Sequence, residues 1–146
     1  MPFKPKPDAC LDCPAYQLGK SFVPPVAPPG ASLYLLGQGP GEMEAYQGLP
    51  FVGPSGNHLD RWLRRAGIPR HKCWVGNVVQ CWLPKEQSPP TGNRAPRPAE
   101  VDFCRATHWG PALAKAPVVV PIGVPAMKAI LGPASNEDTA GRIVKL

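Results

Sequence analysis

No stretch of this 146-residue chain approaches the ~18–20 consecutive apolar residues that a membrane-spanning helix requires. Nor does an apolar run follow the N-terminal Met1-Pro2-Phe3-Lys4-Pro5-Lys6, so no signal peptide is expected and a cytoplasmic location follows by default. In that compartment cysteines bind metal or do chemistry more often than they form disulfides. Acidic residues are the scarcer charge. Ten Asp and Glu against 16 Lys and Arg leave a formal charge of +6, with a pI near 9.3. A polyanionic partner fits that balance, nucleic acid first, although a merely soluble basic protein would carry it too. No Gly-Lys-Ser/Thr ending is present, which excludes a P-loop, and no internal repeat is visible.

What the chain has in excess is proline, 22 residues, and glycine, 15. They gather in Pro2–Pro7, Pro24–Gly30 and Pro84–Pro98, so irregular segments are carried on an otherwise ordinary globular core. The length suits one domain spanning 1–146, with residues 1–31 as an N-terminal arm. A first strand is expected at about Ser32–Leu36 and a second at Cys73–Val79, running into Gln80-Cys81. Val118–Ile122 reads as a third buried strand. Between them, Leu59, Trp62, Leu63 and Ala66 fall at i, i+3, i+4 and i+7, which predicts a helix over about Ser55–Ala66. Arg61, Arg64 and Arg65 occupy its other faces, where they could touch phosphate or simply face water. A second helix is expected from Pro98, a good first-turn residue, towards Trp109, and a third over Val124–Leu131. Apolar strands alternating with helices imply α/β architecture: a parallel sheet with helices on both faces.

Chemistry concentrates in two places. After the first strand comes Gly37-Gln38-Gly39-Pro40-Gly41-Glu42-Met43-Glu44, then Gly48-Leu49-Pro50-Phe51-Val52-Gly53. A dinucleotide fingerprint needs G-x-G-x-x-G; here the spacing is G-x-G-x-G with Pro40 inside. Small residues let backbone approach a flat ligand, and Phe51 offers a stacking face. Asn77 stands near the end of the second strand, where α/β sheets place ligand groups. Its amide can match the O4 and N3–H edge of uracil, and cytosine presents the reverse pattern. These features point to an enzyme acting on a nucleobase. The second place is the cysteines. Cys10-x-x-Cys13 is a metal-type pair, and with Cys81 and Cys104 it makes a four-thiolate set; spacing alone leaves zinc and [4Fe–4S] both open. Cys73, inside the second strand, reads as a core residue.

On these residues the chain resembles the family 4 uracil-DNA glycosylases, the iron–sulfur type. The matching elements are Cys10-Leu-Asp-Cys13-Pro14, Gly37–Glu44, Gly48–Gly53, Gly76-Asn-Val-Val-Gln-Cys81, Asn93-Arg94 with Pro96, and Glu100–Cys104, in the family's order across nearly the whole chain. The resemblance implies a three-layer α/β/α fold with a short parallel sheet, uracil-containing DNA as partner, and hydrolysis of the N-glycosidic bond of deoxyuridine by a monomer. It favours a [4Fe–4S] cluster over zinc on Cys10, Cys13, Cys81 and Cys104. Phe51 would stack on an extruded uracil, Asn77 would read its polar edge, and Gly41 and Glu42 would line the base site. Glu44 would stand near the C5 edge. Gln38 replaces the family's usual glutamate. Gly39 stands where other uracil glycosylases carry a water-activating aspartate, which leaves Glu44, Gln38 and Gly39 as the catalytic set. The family's His-Pro-Ser type loop has no match in Ala134–Leu146, so the chain reads as truncated, and Glu86–Gly92 reads as an insertion. Two other functions stay open: a catalytically weak uracil- or DNA-binding module, as in a phage replication or repair protein, and a metal-stabilised structural domain.

Overall fold

The computed structural model describes residues 3–86, 92–133, 141 and 143. The interior of the Glu86–Gly92 insertion and most of the Ala134–Leu146 segment lie outside that range.

Three parallel strands form the central sheet, in the order β3 (Trp74–Asn77), β2 (Leu33–Gly37), β5 (Val118–Pro121). Successive side chains of a strand point to opposite faces. Leu35 and Leu36 on β2 therefore reach two separate cores, and both are almost wholly buried. Leu35 joins Leu59 and Leu63 of the helix α2 (Pro54–Arg65), with Phe51, Cys73 and Val75. Leu36 joins Trp74, Val78, Val79 and Trp109, and reaches Cys104 and Ala126 on the helices of the opposite face. Each such leucine contributes about 1.5–3 kcal/mol by leaving water. The result is the three-layer α/β/α arrangement.

Several local expectations need correction. The second strand stops at Asn77 and does not run on to Cys81. Val78 N–H donates to Gly37 O, and the Gln80 side chain turns back to donate to Asn77 O, so the chain leaves the sheet there. Cys81–Trp82 instead forms a strand of its own, β4, antiparallel to β1 (Lys20–Phe22) in a second small sheet. The N-terminal arm is thus ordered by pairing, and Val26 adds a two-bond bridge to Val75 on the outer edge of β3. On α2 the buried stripe is Gly56, Leu59 and Leu63. Trp62, about 90° from the centre of that stripe by helix geometry, is 55% exposed, and Ala66 is exposed as well. β5 pairs only with β2, so it is an edge strand among the described residues; Val118 and Val120 are 53% and 40% exposed, not buried.

The glycine loop also runs straight into a helix that its composition hid, α1 (Glu42–Gln47). Glu44 in its first turn accepts from the Gly41 N–H, so the side chain caps its own helix. Beyond the long loop, α3 (Pro98–Cys104) continues through a π-helical turn, Arg105–Trp109, into α4 (Gly110–Leu113), and α5 (Val124–Leu131) follows β5.

Candidate active site

β2 and β3 are in register with Gly37 opposite Asn77, the last residue of each strand. That places the glycine loop and the Asn77 side chain at the same carboxyl end of the sheet. A cavity of about 700 Å³ opens there. Its lining brings together Gln38, Gly39, Gly41, Glu42, Glu44, Phe51 and Asn77, and adds Asn93, Met43 and Ile122, among others. Gly37 is the pivot. A methyl group at its Cα would lie 2.4 Å from Phe51 Cζ and 2.6 Å from Asn77 Oδ1. Ring and amide therefore both reach the space that only a glycine leaves open. Asn77 is buried, yet its side-chain amide has no hydrogen-bond partner among the described residues.

The Glu44 carboxylate is buried and turned into the loop backbone. Oε2 accepts from Gly41 N–H at 3.1 Å, and Oε1 from Val52 and Gly53 N–H at 3.0 and 2.8 Å. One side chain thus ties the glycine loop to the Phe51 turn. Such charge-assisted bonds are the strong kind, and they need no metal or water to be satisfied. Gln38 Nε2 reaches Arg94 O only at 3.5 Å, which leaves its amide largely free to turn to the cavity.

Beside the cavity, Arg94 and Glu100 close the long loop. The guanidinium donates to both Glu100 oxygens at 2.9 and 2.7 Å, and Arg97 N–H adds a third bond at 2.7 Å. Burial alone would raise the Glu100 carboxyl. The Arg94 and Arg97 hydrogen bonds and charges outweigh it and hold that carboxyl below its ordinary value. Asn93, one residue before Arg94, accepts from Trp82 Nε1 at 2.9 Å and so faces the cavity from a fixed position.

The four cysteines come from the arm, β4 and α3, and Cys81 lies behind the glycine loop, lining a small cleft with Gln38, Gly39 and Asn93. Cys10 ends a short 3₁₀ turn and Cys13 follows, with its N–H on Cys10 O. Cys81 opens β4 and Cys104 closes α3. All are free thiols, and Cys81 is close enough to the other three to feel the charge of each. Burial pushes Cys81 and Cys104 up to about 12, and their thiol neighbours add to it. Such thiols stay protonated at neutral pH unless a cation replaces the proton. Among the described residues no three Cys, His or carboxylate groups converge as a site for a metal ion. His108 is new to this neighbourhood: its Nε2 lies 3.1 Å from Cys10 Sγ, and burial lowers its basicity. Cys73 is apart, buried beside α2 in the core.

Residues 24–145 match the family model of the uracil DNA glycosylase superfamily. The chain belongs to that superfamily. Among curated relatives, the type-4 uracil-DNA glycosylase of Archaeoglobus fulgidus is 32% identical over 96 residues, covering 66% of this chain and 45% of the relative. The type-4 enzyme of Thermotoga maritima is 35% identical over 95 residues, 65% of this chain and 46% of its own. That of Pyrobaculum aerophilum is 34% identical over 95 residues, with 65% and 45% covered. The match thus spans less than half the length of these relatives.

Two contributors to the site do not stand out in the sequence. Asn93 is visible there only as part of a motif, and its place in the cavity follows from the Trp82 contact, 11 residues away. Arg70 carries no sequence signal, because two of its three acceptors are backbone carbonyls of the Phe51 turn.

Proposed function

We propose that this chain carries the base-recognition and chemical site of a type-4 uracil-DNA glycosylase, which hydrolyses the C1′–N1 bond of deoxyuridine in DNA. The observation that carries this reading is the convergence of the Phe51 ring and the buried Asn77 amide on Gly37. A flat base with an O4 acceptor beside an N3–H donor suits that pair, stacked on one and hydrogen-bonded by the other. The base must first leave its stack, at a cost of a few kcal/mol. In the reaction the glycosidic electron pair departs with uracil, water adds to C1′ of the resulting oxocarbenium-like sugar, and the proton that water loses neutralises the uracil anion, directly or through solvent. No carboxylate stands at Gly39 to activate that water. Rate enhancement then rests on N–H donors held toward the departing anion, from the glycine loop and the Gln38 side chain. Glu44 serves by fixing that loop, and Gly41 and Glu42 form its wall.

As ligands of a [4Fe–4S] cluster the four cysteines would supply four sulfurs, drawn from three separate segments and close enough to sense one another's charge. Bound there, the cluster would be structural, joining the arm, β4 and α3. DNA as substrate accords with the net charge of +6 and with the outer face of α2. There a shallow concavity of about 440 Å³ lies among His58, Arg61 and Arg64, sharing Pro54 with the base cavity. Among the described residues no helix is long and apolar enough to cross a membrane. The same reading has the domain acting as a monomer in the cytoplasm of a bacterial, archaeal or phage-infected cell.

The test is a strand-cleavage assay on an oligonucleotide with one uracil, followed by alkali, with Asn77→Ala as control. Cleavage lost in that variant supports the glycosylase. Binding of uracil-DNA without cleavage would instead make the domain a recognition module.

A further inference from the structure

Phe51 has a φ of +54°, in the left-handed region that disfavours any side chain with a Cβ. Something must hold it there, and the turn's own sequence supplies no glycine at that position. Two features press on its peptide. Gly56 of α2 lets the Phe51 carbonyl lie against the helix; a methyl at Gly56 would meet that oxygen at 2.0 Å. Arg70 then reaches across from the turn just before β3. Its Nη2 donates to Pro50 O at 2.8 Å and to Phe51 O at 2.9 Å, while Nη1 donates to Asp60 Oδ1 at 2.7 Å.

We infer that the Arg70–Asp60 pair is a clamp that holds Phe51 in its left-handed conformation, and that both are positioning residues for base recognition. The second half rests on the reading of Phe51 as the stacking face. The planar guanidinium has the right shape for such a clamp, since its fixed fork meets two carbonyls on one nitrogen while the other is anchored to a carboxylate on α2. A lysine is a single point charge and cannot span the three acceptors in one geometry. The grip is two-sided. Arg70 holds the carbonyls of residues 50 and 51, and Glu44 holds the N–H groups of residues 52 and 53. Arg70 also leads directly into β3, which ends in Asn77. One short segment therefore fixes the backbone under the ring and delivers the amide that faces it.

The experiment compares wild type, Phe51→Ala, Arg70→Met and the double variant. The ligand is a single-stranded oligonucleotide carrying one 2′-fluoro-2′-deoxyuridine, whose fluorine blocks cleavage. Loss of a stacking contact is expected to weaken binding about tenfold in either single variant. If Arg70 acts through Phe51, adding Arg70→Met to Phe51→Ala weakens binding by no more than about twofold further. Hydrogen exchange at the Val52 and Gly53 amides is the second readout, and it should quicken in Arg70→Met with or without ligand. Arg70→Lys and Asp60→Asn, milder changes, should fall between wild type and Arg70→Met in both measurements, and carry the comparison should Arg70→Met fail to fold. Unchanged exchange at these amides overturns the clamp, as does a full additional loss in the double variant. Quickened exchange with binding undiminished by Phe51→Ala keeps the clamp and overturns the stacking role instead.

Discussion

Gly37→Ala is the sharpest perturbation of the cavity, because it adds one methyl group at the point where ring and amide meet. The added carbon would stand 2.4 Å from Phe51 Cζ and 2.6 Å from Asn77 Oδ1. Carbon pairs rest at about 3.5–4.0 Å, so the ring must retreat by about 1 Å or more. Asn77 cannot yield freely, since its backbone is paired with that of Gly37 across the sheet. Crowding of this kind costs about 1–3 kcal/mol of stability. The functional cost should be larger in proportion: a displacement of about 1 Å at a reacting site can lose about 10²-fold in rate. The backbone of Gly37 is an ordinary strand conformation, so alanine itself meets no φ penalty there. The assay pairs single-turnover cleavage of a uracil oligonucleotide with the urea midpoint of unfolding. A variant that unfolds near the wild-type midpoint but loses about 10²-fold in rate agrees with this geometry. One that folds and cleaves within about threefold of wild type would refute the convergence of Phe51 and Asn77 on the base.

Glu44→Gln replaces a buried carboxylate that accepts from three backbone N–H groups with an amide that can offer them only one oxygen. About 3 kcal/mol of unfolding free energy should be lost, with uracil-DNA binding falling alongside; a change below about 1 kcal/mol in urea denaturation would contradict it. The Glu100 carboxyl is depressed in the folded chain relative to its ordinary 4.5, so its contribution is complete above that value and vanishes as pH falls through the folded value. Urea midpoints between pH 7 and 3 should record that acid loss. Arg94→Met, which strands the buried Glu100, should cost about 3 kcal/mol at pH 7 and flatten the profile. On α2, Arg61→Ala with Arg64→Ala should reduce the slope of log binding constant against log salt by about 1.4 for single-stranded DNA. A slope unchanged within error would remove that helix face from the DNA path.

The sheet and its flanking helices were legible because their signals are local. Leu33 to Leu36 and Val118 to Pro121 are apolar runs, Cys73 to Val79 is rich in Val and Trp, and Leu59 with Leu63 marks the buried stripe of α2. What the sequence hid depends on distance or on side-chain direction. β1 and β4 are three and two residues long and exist only because Lys20 and Trp82 meet across 62 positions. Val78 and Val79 look like more strand, yet the Gly37 and Gln38 carbonyls draw them round into the second core. α1 was concealed by Gly-Pro-Gly ahead of it, although Glu44 at its third position was a capping signal that could have been read. The cavity residues were legible for a different reason. Most come from one contiguous loop, and Asn77 ends the strand paired with the one that precedes it. Arg70 was illegible because its role follows from a positive φ at Phe51, which no residue type announces.

The cysteine set and the cavity are joined through the long loop, and this yields a last prediction. Cys81 is followed by Trp82, whose indole N–H donates to Gly92 O at 3.1 Å and to Asn93 Oδ1 at 2.9 Å. Cys104 ends the helix whose first turn holds Glu100, the partner of Arg94. Both thiols thus lie at the roots of elements that pin residues 92–94, and Asn93 lines the cavity. With a cation on the four thiolates, those roots are crosslinked; without one, buried thiols carry no attraction for each other. If the thiolates hold the proposed iron–sulfur cluster, Cys81→Ser should lower bound iron and sulfide and, independently, expose the loop. Trypsin reports the second effect at the Arg94–Ala95 bond, whereas Arg97 is followed by proline and resists cleavage. Faster cleavage after Arg94 in Cys81→Ser, slowed again by reconstitution of wild type but not of the variant, would tie the thiolate site to the order of the cavity wall. Equal cleavage in both would confine the cysteines to the arm and leave Arg94–Glu100 sufficient to hold the loop.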